Sequence, residues 1–148
     1  MHIIWNIFLM DKEHILTEDE VTKNNVAHIL AILPSDEEYT QTTTCSHAIM
    51  PYDGHSMDID TELYDTHIKT IESFRAERKN VFVFCNNGYQ RSIPFLCYYL
   101  TKHHADEVPT IERAIDIILP QIDKANYATK RGKLITQVET LFKHNSII

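Results

Sequence analysis

One stretch of this chain combines a thiol, a guanidinium and a glycine at a spacing suited to phosphate chemistry. Cys85 and Arg91 lie six positions apart, with Gly88 between them and Ser92 directly after. The apolar residues 81–84 precede the cysteine and predict a buried strand. A strand, a tight loop and a helix start, in that order, surround one anion with loop N–H groups and a positive helix end. The sequence therefore predicts a loop that holds a phosphate group.

Each reactive residue of this loop has a candidate role. Cys85 is placed to attack phosphorus as a thiolate, the nucleophilic form of a group that ordinarily ionises near pH 8.5. Arg91 offers a planar fork that binds two phosphate oxygens. Ser92 is a candidate to donate a hydrogen bond to the cysteine sulfur and help it leave in a second step. The phosphate-binding positions of the loop are expected to be Asn86, Asn87, Gly88, Tyr89, Gln90 and Arg91.

The same residue types also occur for purely structural reasons. A free cysteine at a strand end is commonly a small buried apolar side chain, glycine serves ordinary turns, and serine caps helices. The position of Arg91 favours the ligand-binding interpretation. The helix dipole disfavours a cation at the start of a helix unless an anion lies nearby. We therefore interpret the combination as a phosphate site.

A leaving alkoxide or phenoxide needs a proton, and a carboxylic acid on a neighbouring loop is the usual donor. Asp53 lies in a segment of turn-forming residues upstream of the cysteine. Asp58 and Asp60 are alternative acids, although their position suits capping of the helix that follows. His55 is a further candidate, because a histidine carries a proton near neutral pH.

The hydrophobic pattern predicts strands mixed with helices in the first half of the chain and helices alone in the second. Strands are expected over residues 3–9 (as one or two strands), 28–33, 45–50 and 81–84. Helices are expected over residues 18–25 after the capping Thr17, 59–78, 93–103, 110–119 up to a stop or kink at Pro120, and 126–142 after the cap Asn126. This order predicts an α/β fold with a central, mostly parallel β-sheet flanked by helices.

Composition limits the class of protein. The length favours one domain over residues 1–148. The net charge of −7, from 14 basic and 21 acidic side chains, argues against nonspecific binding to nucleic acid or to an anionic membrane. The apolar residues 3–10 are too few to span a bilayer and lack the features of a signal peptide. The three cysteines fit no zinc-binding spacing, and their low number predicts a reducing, cytoplasmic setting.

The pattern Cys-x-x-Gly-x-x-Arg-Ser after an apolar strand is the signature of the cysteine-dependent protein phosphatases. The chain resembles the small dual-specificity phosphatases along its whole length. Four segments carry this resemblance: Ile7-Phe8-Leu9 with a short helix and His28-Ile29-Leu30-Ala31-Ile32, Pro51-Tyr52-Asp53 with Asp58-Ile59, Gly88-Tyr89-Gln90-Arg91-Ser92 leading into Cys97-Tyr98-Tyr99-Leu100, and the helices at 109–119 and 126–142.

The resemblance implies a protein tyrosine phosphatase-like fold, with hydrolysis of phosphotyrosine and phosphoserine or phosphothreonine through a cysteinyl-phosphate intermediate. In that reaction Cys85 would be the nucleophile, Arg91 the phosphate clamp, Asp53 the general acid and Ser92 an aid to release. It implies no metal and no cofactor, and a phosphoprotein or phosphopeptide as substrate. Lipid phosphatases of the family favour lysines in this loop, so an inositide substrate is less expected here.

One departure from the family keeps other functions open. The family usually has histidine immediately before the cysteine, where this chain has Phe84. That histidine helps to hold the loop and to ionise the cysteine, so its loss permits a phosphopeptide-binding pseudophosphatase with weak turnover. A phosphatase acting on RNA 5′ ends is a third interpretation, disfavoured by the acidic charge. Under oxidation, Cys45 or Cys97 are candidate disulfide partners of Cys85, although buried inert thiols are the commoner outcome.

Overall fold

The computed structural model describes residues 2–11, 15–39, 42–53, 56–85 and 90–148. Four residues of the predicted phosphate loop and one alternative acid lie outside the described residues: Asn86, Asn87, Gly88, Tyr89 and His55. The chain forms two compact units, one of Met1–Gly54 with Thr61–Ser92 and the other of His55–Asp60 with Ile93–Ile148. The single domain expected over residues 1–148 stays a prediction.

The first unit is built on a five-stranded sheet. Its strands are β1 His2–Ile4, β2 Ile7–Asp11, β3 Val26–Pro34, β4 Ser46–Tyr52 and β5 Asn80–Cys85. They lie in the order β1-β2-β5-β3-β4, with β1 antiparallel to β2 and every other neighbouring pair parallel. The predicted α/β fold with a central, mostly parallel sheet is therefore confirmed, and the strand that ends at the cysteine occupies its centre.

Two helices cover the sheet of this unit: α1 Glu18–Lys23 and α2 Thr61–Ala76. Alternate residues of β3 point to opposite faces. One set joins an apolar cluster that includes Val21 of α1, and the other set includes His28, whose ring stacks on Phe74 of α2 with centroids 5.4 Å apart. The buried residues of α2 are Ile68 and Ile71, while Leu63, His67 and Phe74 are half-buried.

Helix α1 begins where its sequence predicts. The Thr17 hydroxyl accepts the backbone N–H of Glu20 at 3.2 Å, and the Glu20 carboxylate accepts the backbone N–H of Thr17 at 3.2 Å. This reciprocal pair satisfies two N–H groups that a helix start otherwise leaves without partners. The capping role predicted for Thr17 is confirmed.

Strand β4 differs from its prediction by continuing through Pro51 to Tyr52. Proline has no N–H to donate, so it is tolerated only where a strand lacks a neighbour on one side. Strand β4 is such an edge strand. Tyr52 is therefore the last residue of the sheet strand, and Asp53 comes directly after it with no turn between them.

The second unit is helical. Its elements are α3 Ser92–Tyr98, whose first residue belongs to the first unit, a π-helical turn Tyr99–His103, α4 Ile111–Ile122, a short 3-10 turn Lys124–Asn126 and α5 Tyr127–His144. Helices α4 and α5 are joined by Asp116, which accepts from Arg131 Nε at 2.7 Å and from the Tyr127 hydroxyl. These hydrogen bonds lower the pKa of the Asp116 carboxyl below its ordinary range.

Two helix ends in this unit differ in part from their predictions, because Pro120 does not stop α4, which leaves a kink there as the prediction, and Asn126 occupies the N-cap position without a side-chain cap. Helix α4 passes Pro120 and ends at Ile122, since a proline in the last turn removes only one intrahelical hydrogen bond. Asn126 precedes α5 but does not cap it with its side chain, because its amide donates to the Asp123 carboxylate at 3.0 Å. Among the described helices, none combines the length and the hydropathy needed to cross a bilayer.

Candidate active site

The candidate nucleophile lies at the carboxyl edge of the parallel sheet. Cys85 is the last residue of β5, is fully buried, and is paired in register with Asp11 of β2 and Ile32 of β3. Tyr52 ends the edge strand β4 at the same side of the sheet. Open parallel sheets bind ligands outside the carboxyl ends of their strands, where loops and helix starts converge. The sheet therefore places Cys85 where a phosphate site is expected.

Phe84, the residue at the usual histidine position, points to the opposite face from Cys85 because strand residues alternate. Its ring is 2% exposed and stacks on Tyr39, with centroids 6.1 Å apart and planes 18° apart. Tyr39 in turn donates its hydroxyl hydrogen to His47 Nδ1, since His47 Nε2 donates to the carbonyl oxygen of Thr43 at 2.6 Å. The position before the cysteine is thus filled by an apolar ring in a packed aromatic cluster.

Arg91 and Asp53, predicted as phosphate clamp and general acid, are brought together across 38 positions of sequence. Arg91 Nη2 donates to the main-chain oxygen of Asp53 at 3.5 Å, a long hydrogen bond. The guanidinium carbon also lies 4.2 Å from the centroid of the Tyr52 ring. Asp53 is exposed and Arg91 half-exposed. Both groups are therefore open to a ligand arriving from solvent.

Ser92 begins α3 and is completely buried. Its hydroxyl has no hydrogen-bond partner among the described residues, so the predicted bond to the Cys85 sulfur is not formed in this structure. A buried hydroxyl without a partner destabilises a fold by about 1–3 kcal/mol. Gln90, the described loop residue before Arg91, is exposed.

The alternative acid Asp58 has a partner in the second unit. His144 Nε2 lies 3.2 Å from its carboxylate. The Asn145 side chain holds the same segment, since it accepts from the Ile59 backbone N–H at 2.7 Å and donates to the Met57 carbonyl at 2.8 Å. These contacts hold the segment before α2, and one of them engages the Asp58 carboxylate. Asp60, the remaining alternative, is exposed.

The strand register excludes a disulfide between Cys45 and Cys85. Ser46 begins β4 and lies level with Val81, at the opposite end of the sheet from Cys85. Four residues of strand span about 13 Å, whereas the Cα atoms of a disulfide lie within about 7 Å of each other. All three cysteines are free thiols, and burial raises the pKa of the Cys97 thiol.

Comparisons with known proteins were made at the levels of sequence and fold. No protein-family model matches the chain. No curated protein matches it either. Solved structures do match. Human DUSP28 shares 13% identity over 93% of this chain and 96% of its own, with a TM-score of 0.66.

Two further structures extend the comparison. The human tyrosine phosphatase-like serine/threonine/tyrosine-interacting protein shares 14% identity over 87% of this chain and 90% of its own, with a TM-score of 0.66. A leucine rich repeat and phosphatase domain containing protein from Entamoeba histolytica shares 19% identity over 94% of this chain and 92% of its own, with a TM-score of 0.57.

This chain has the dual-specificity phosphatase fold.

The structure shows contacts near the candidate site that were not predicted from the sequence. From the sequence, Tyr52 is named only in the segment next to the candidate acid and has no predicted role, yet its ring contacts the guanidinium of Arg91. An aromatic residue next to a candidate acid was the available signal, but the cation partner lies far away in sequence. The contacts of Tyr39 and His47 with the Phe84 cluster were also missed, because they join three separate segments. In the described part of the chain, no His, Cys, Asp and Glu side chains are grouped to hold a metal ion.

Proposed function

We propose that this protein is a cysteine-dependent phosphoric monoester hydrolase that removes phosphate from phosphotyrosine and from phosphoserine or phosphothreonine in proteins. The observation that carries the proposal is the contact of Arg91 with Asp53, at the carboxyl edge where β5 delivers Cys85. The main-chain contact brings Arg91 next to the residue that carries the proposed acid, whose side chain is exposed. The folds of the matched structures support the same class of reaction.

The proposed reaction has two displacements. The Cys85 thiolate attacks phosphorus, the bond from phosphorus to the ester oxygen breaks, and the Asp53 carboxylic acid gives its proton to that oxygen. Water then attacks the phosphorus of the cysteinyl phosphate, Asp53 takes a proton from the water, and the phosphorus–sulfur bond breaks. Inorganic phosphate leaves and the thiolate is regenerated. Arg91 binds the phosphoryl oxygens throughout.

The Ser92 hydroxyl fits the second displacement. It is buried and without a partner in the described residues, so an acceptor that forms during the reaction would satisfy it. In this proposal the acceptor is the Cys85 sulfur as it leaves phosphorus with a negative charge. The three free thiols are compatible with a reducing, cytoplasmic compartment, which the proposal includes.

Hydrolysis of an aryl phosphate tests the reaction class. We expect turnover of p-nitrophenyl phosphate by the wild-type protein and a loss of at least about 10³-fold in Cys85→Ser, because a serine hydroxyl is not ionised at neutral pH. Cys97→Ser is the matched control, since it removes another buried thiol of the same chain. Turnover that persists in Cys85→Ser would overturn the proposed mechanism.

A phosphopeptide-binding module with weak turnover is the second candidate, and the packing of Phe84 favours it. The Phe84 ring packs into an apolar cluster. The position before Cys85 therefore supplies no imidazole to promote ionisation of the thiol. One matched structure is itself called a tyrosine phosphatase-like interacting protein. Under this candidate, Arg91 and the loop bind a phosphorylated peptide while Cys85 stays protonated.

Restoring the histidine separates the two candidates. If Phe84 limits ionisation of the thiol, Phe84→His should accelerate both alkylation of Cys85 and aryl phosphate hydrolysis at neutral pH. Phe82→His is the matched control, because it places an imidazole in the same cluster two residues further from the cysteine. Rates unchanged by Phe84→His would show that Phe84 does not set the reactivity of Cys85.

A further inference from the structure

The aromatic ring of Tyr52 lies against the phosphate clamp of the proposed site. The Arg91 guanidinium carbon is 4.2 Å from the ring centroid, a distance typical of a strong cation–π contact. The ring is half-buried, so part of the contact is shielded from water. Contacts of this kind are stronger when water is excluded from them.

The backbone of Tyr52 is fixed more firmly than its position at a strand end suggests. Tyr52 is paired in register with Pro34 at the end of β3. Its carbonyl oxygen accepts the backbone N–H of Ser35 at 2.9 Å, one residue beyond that strand. The ring therefore projects from backbone that is hydrogen-bonded at the end of the sheet, which makes it suitable for restraining a flexible side chain such as that of Arg91.

Arginine is such a partner. Its long side chain has many rotamers, and fixing it in one of them opposes phosphate binding. The guanidinium here is held on one side by the Tyr52 ring and at one end by the Asp53 main-chain oxygen. Both holding groups come from consecutive residues of one strand end. An arginine held in this way has already lost part of the freedom that phosphate binding would remove.

We propose that Tyr52 is a positioning residue that pre-orients Arg91 for phosphate through its aromatic face. This inference rests on the proposed role of Arg91 as phosphate clamp and adds a residue to it. The aromatic face makes the cation–π contact, and the Tyr52 hydroxyl also interacts with Arg91. Phenylalanine or tryptophan, which keep the face, should therefore retain most of the effect. An aliphatic residue of similar bulk should not.

Binding of inorganic phosphate to the full chain tests the role without depending on turnover. Calorimetric titration in the Cys85→Ser background removes the nucleophile and leaves the other groups in place. We expect Tyr52→Leu to weaken phosphate binding roughly fivefold, the effect of losing one cation–π contact. Tyr52→Phe should stay within about twofold of the parent. Tyr127→Leu is the matched control, because that tyrosine belongs to the Asp116–Arg131 network.

A double-mutant cycle shows whether Tyr52 acts through Arg91. Arg91→Ala alone should weaken phosphate binding strongly, and Tyr52→Leu should then add no further loss. An equal loss from Tyr52→Leu in both backgrounds overturns the inference, as does unchanged binding in Tyr52→Leu with Arg91 present. If Arg91→Ala binds phosphate as well as its parent does, the proposed function fails instead. If Tyr52→Leu does not fold, Tyr52→Met can replace it in the cycle, because methionine is similar in bulk to leucine and also lacks an aromatic face.

Discussion

At the scale of single residues, the proposed chemistry depends on an acid and a cation that are neighbours before substrate arrives. Arg91 contacts the backbone of Asp53 and the ring of Tyr52. A general acid must lie near the leaving oxygen, and that oxygen is bonded to the phosphorus that the arginine clamps. The contact therefore supports Asp53 as the acid over Asp58, whose carboxylate is engaged by His144.

Replacement of Asp53 should reveal its role through the leaving group. Asp53→Asn cannot donate a proton, so we expect about a 10²-fold loss in kcat for alkyl phosphates, whose alkoxides are poor leaving groups. Activated aryl phosphates need little protonation and should lose less than about tenfold. The measurement is kcat across a series of phosphate monoesters of increasing leaving-group pKa, with a steeper dependence in the variant.

Asp58→Asn is the control for this series, because it makes the same change of side chain five residues further along the chain. We expect its leaving-group dependence to match that of the wild type. Equal slowing of all esters by Asp53→Asn, or a steep dependence in Asp58→Asn, would contradict the assignment of the acid.

The candidate reacting residues could be proposed from sequence because their spacing is local. Cys85, Gly88 and Arg91 are separated by fixed short intervals that follow one strand. Tyr52 could not be assigned its contact in the same way, because the two side chains meet only after β4 and β5 join one sheet. The distance between Tyr52 and Arg91 is a product of sheet topology and is not encoded in any short pattern.

At the scale of elements, His28 is a polar group buried between β3, β4 and α2. Its Nδ1 lies 2.9 Å from the Ser46 hydroxyl, and its ring stacks on Phe74. Burial, together with the nearby His67 and His47 rings, lowers its pKa to about 4. The folded state thus favours a neutral ring, whereas the unfolded chain takes up a proton below about pH 6.5.

The stability of the protein should consequently fall as the pH drops from about 6.5 toward 4. The unfolded state binds more protons over that range, and the shift corresponds to a loss on the order of 2–3 kcal/mol. We expect the free energy of unfolding, measured by urea titration at several pH values, to decrease less steeply in His28→Gln than in the wild type. His103→Gln, which changes an exposed histidine, is the control. Parallel pH profiles for His28→Gln and the wild type would count against this role.

Element ends differ in how well sequence predicts them. Thr17 was predicted correctly because a capping box is complete within four consecutive residues. The predicted strand over residues 45–50 stops short of Pro51, yet β4 continues through it, although proline has no N–H to donate to a neighbouring strand. Its tolerance depends on β4 being the edge of the sheet, which is a property of strand order. Asn126 holds the N-cap position of α5 without a side-chain cap, and its Nδ2 donates to the Asp123 carboxylate, a contact with a neighbour that the capping pattern does not include.

At the scale of the whole molecule, the charge of −7 acts on any substrate that approaches. A summed charge of this size steers basic partners toward a protein and repels anionic ones. If the proposed phosphatase function holds, the residues flanking the phosphorylated side chain influence association even without direct contacts. RNA carries a negative charge at every nucleotide, so the same field opposes RNA 5′ ends as substrates.

Matched phosphopeptides test this effect of charge. We expect a phosphotyrosine peptide flanked by lysines to show a severalfold higher kcat/KM than the same peptide flanked by glutamates. The difference in kcat/KM between the two peptides should narrow as ionic strength rises from about 0.01 M to 0.15 M, because the screening length falls from about 30 Å to 8 Å. A 5′-phosphorylated oligonucleotide should be the poorest substrate at low salt. A gap that does not respond to salt would mean that direct contacts, and not the field of the whole protein, select the substrate.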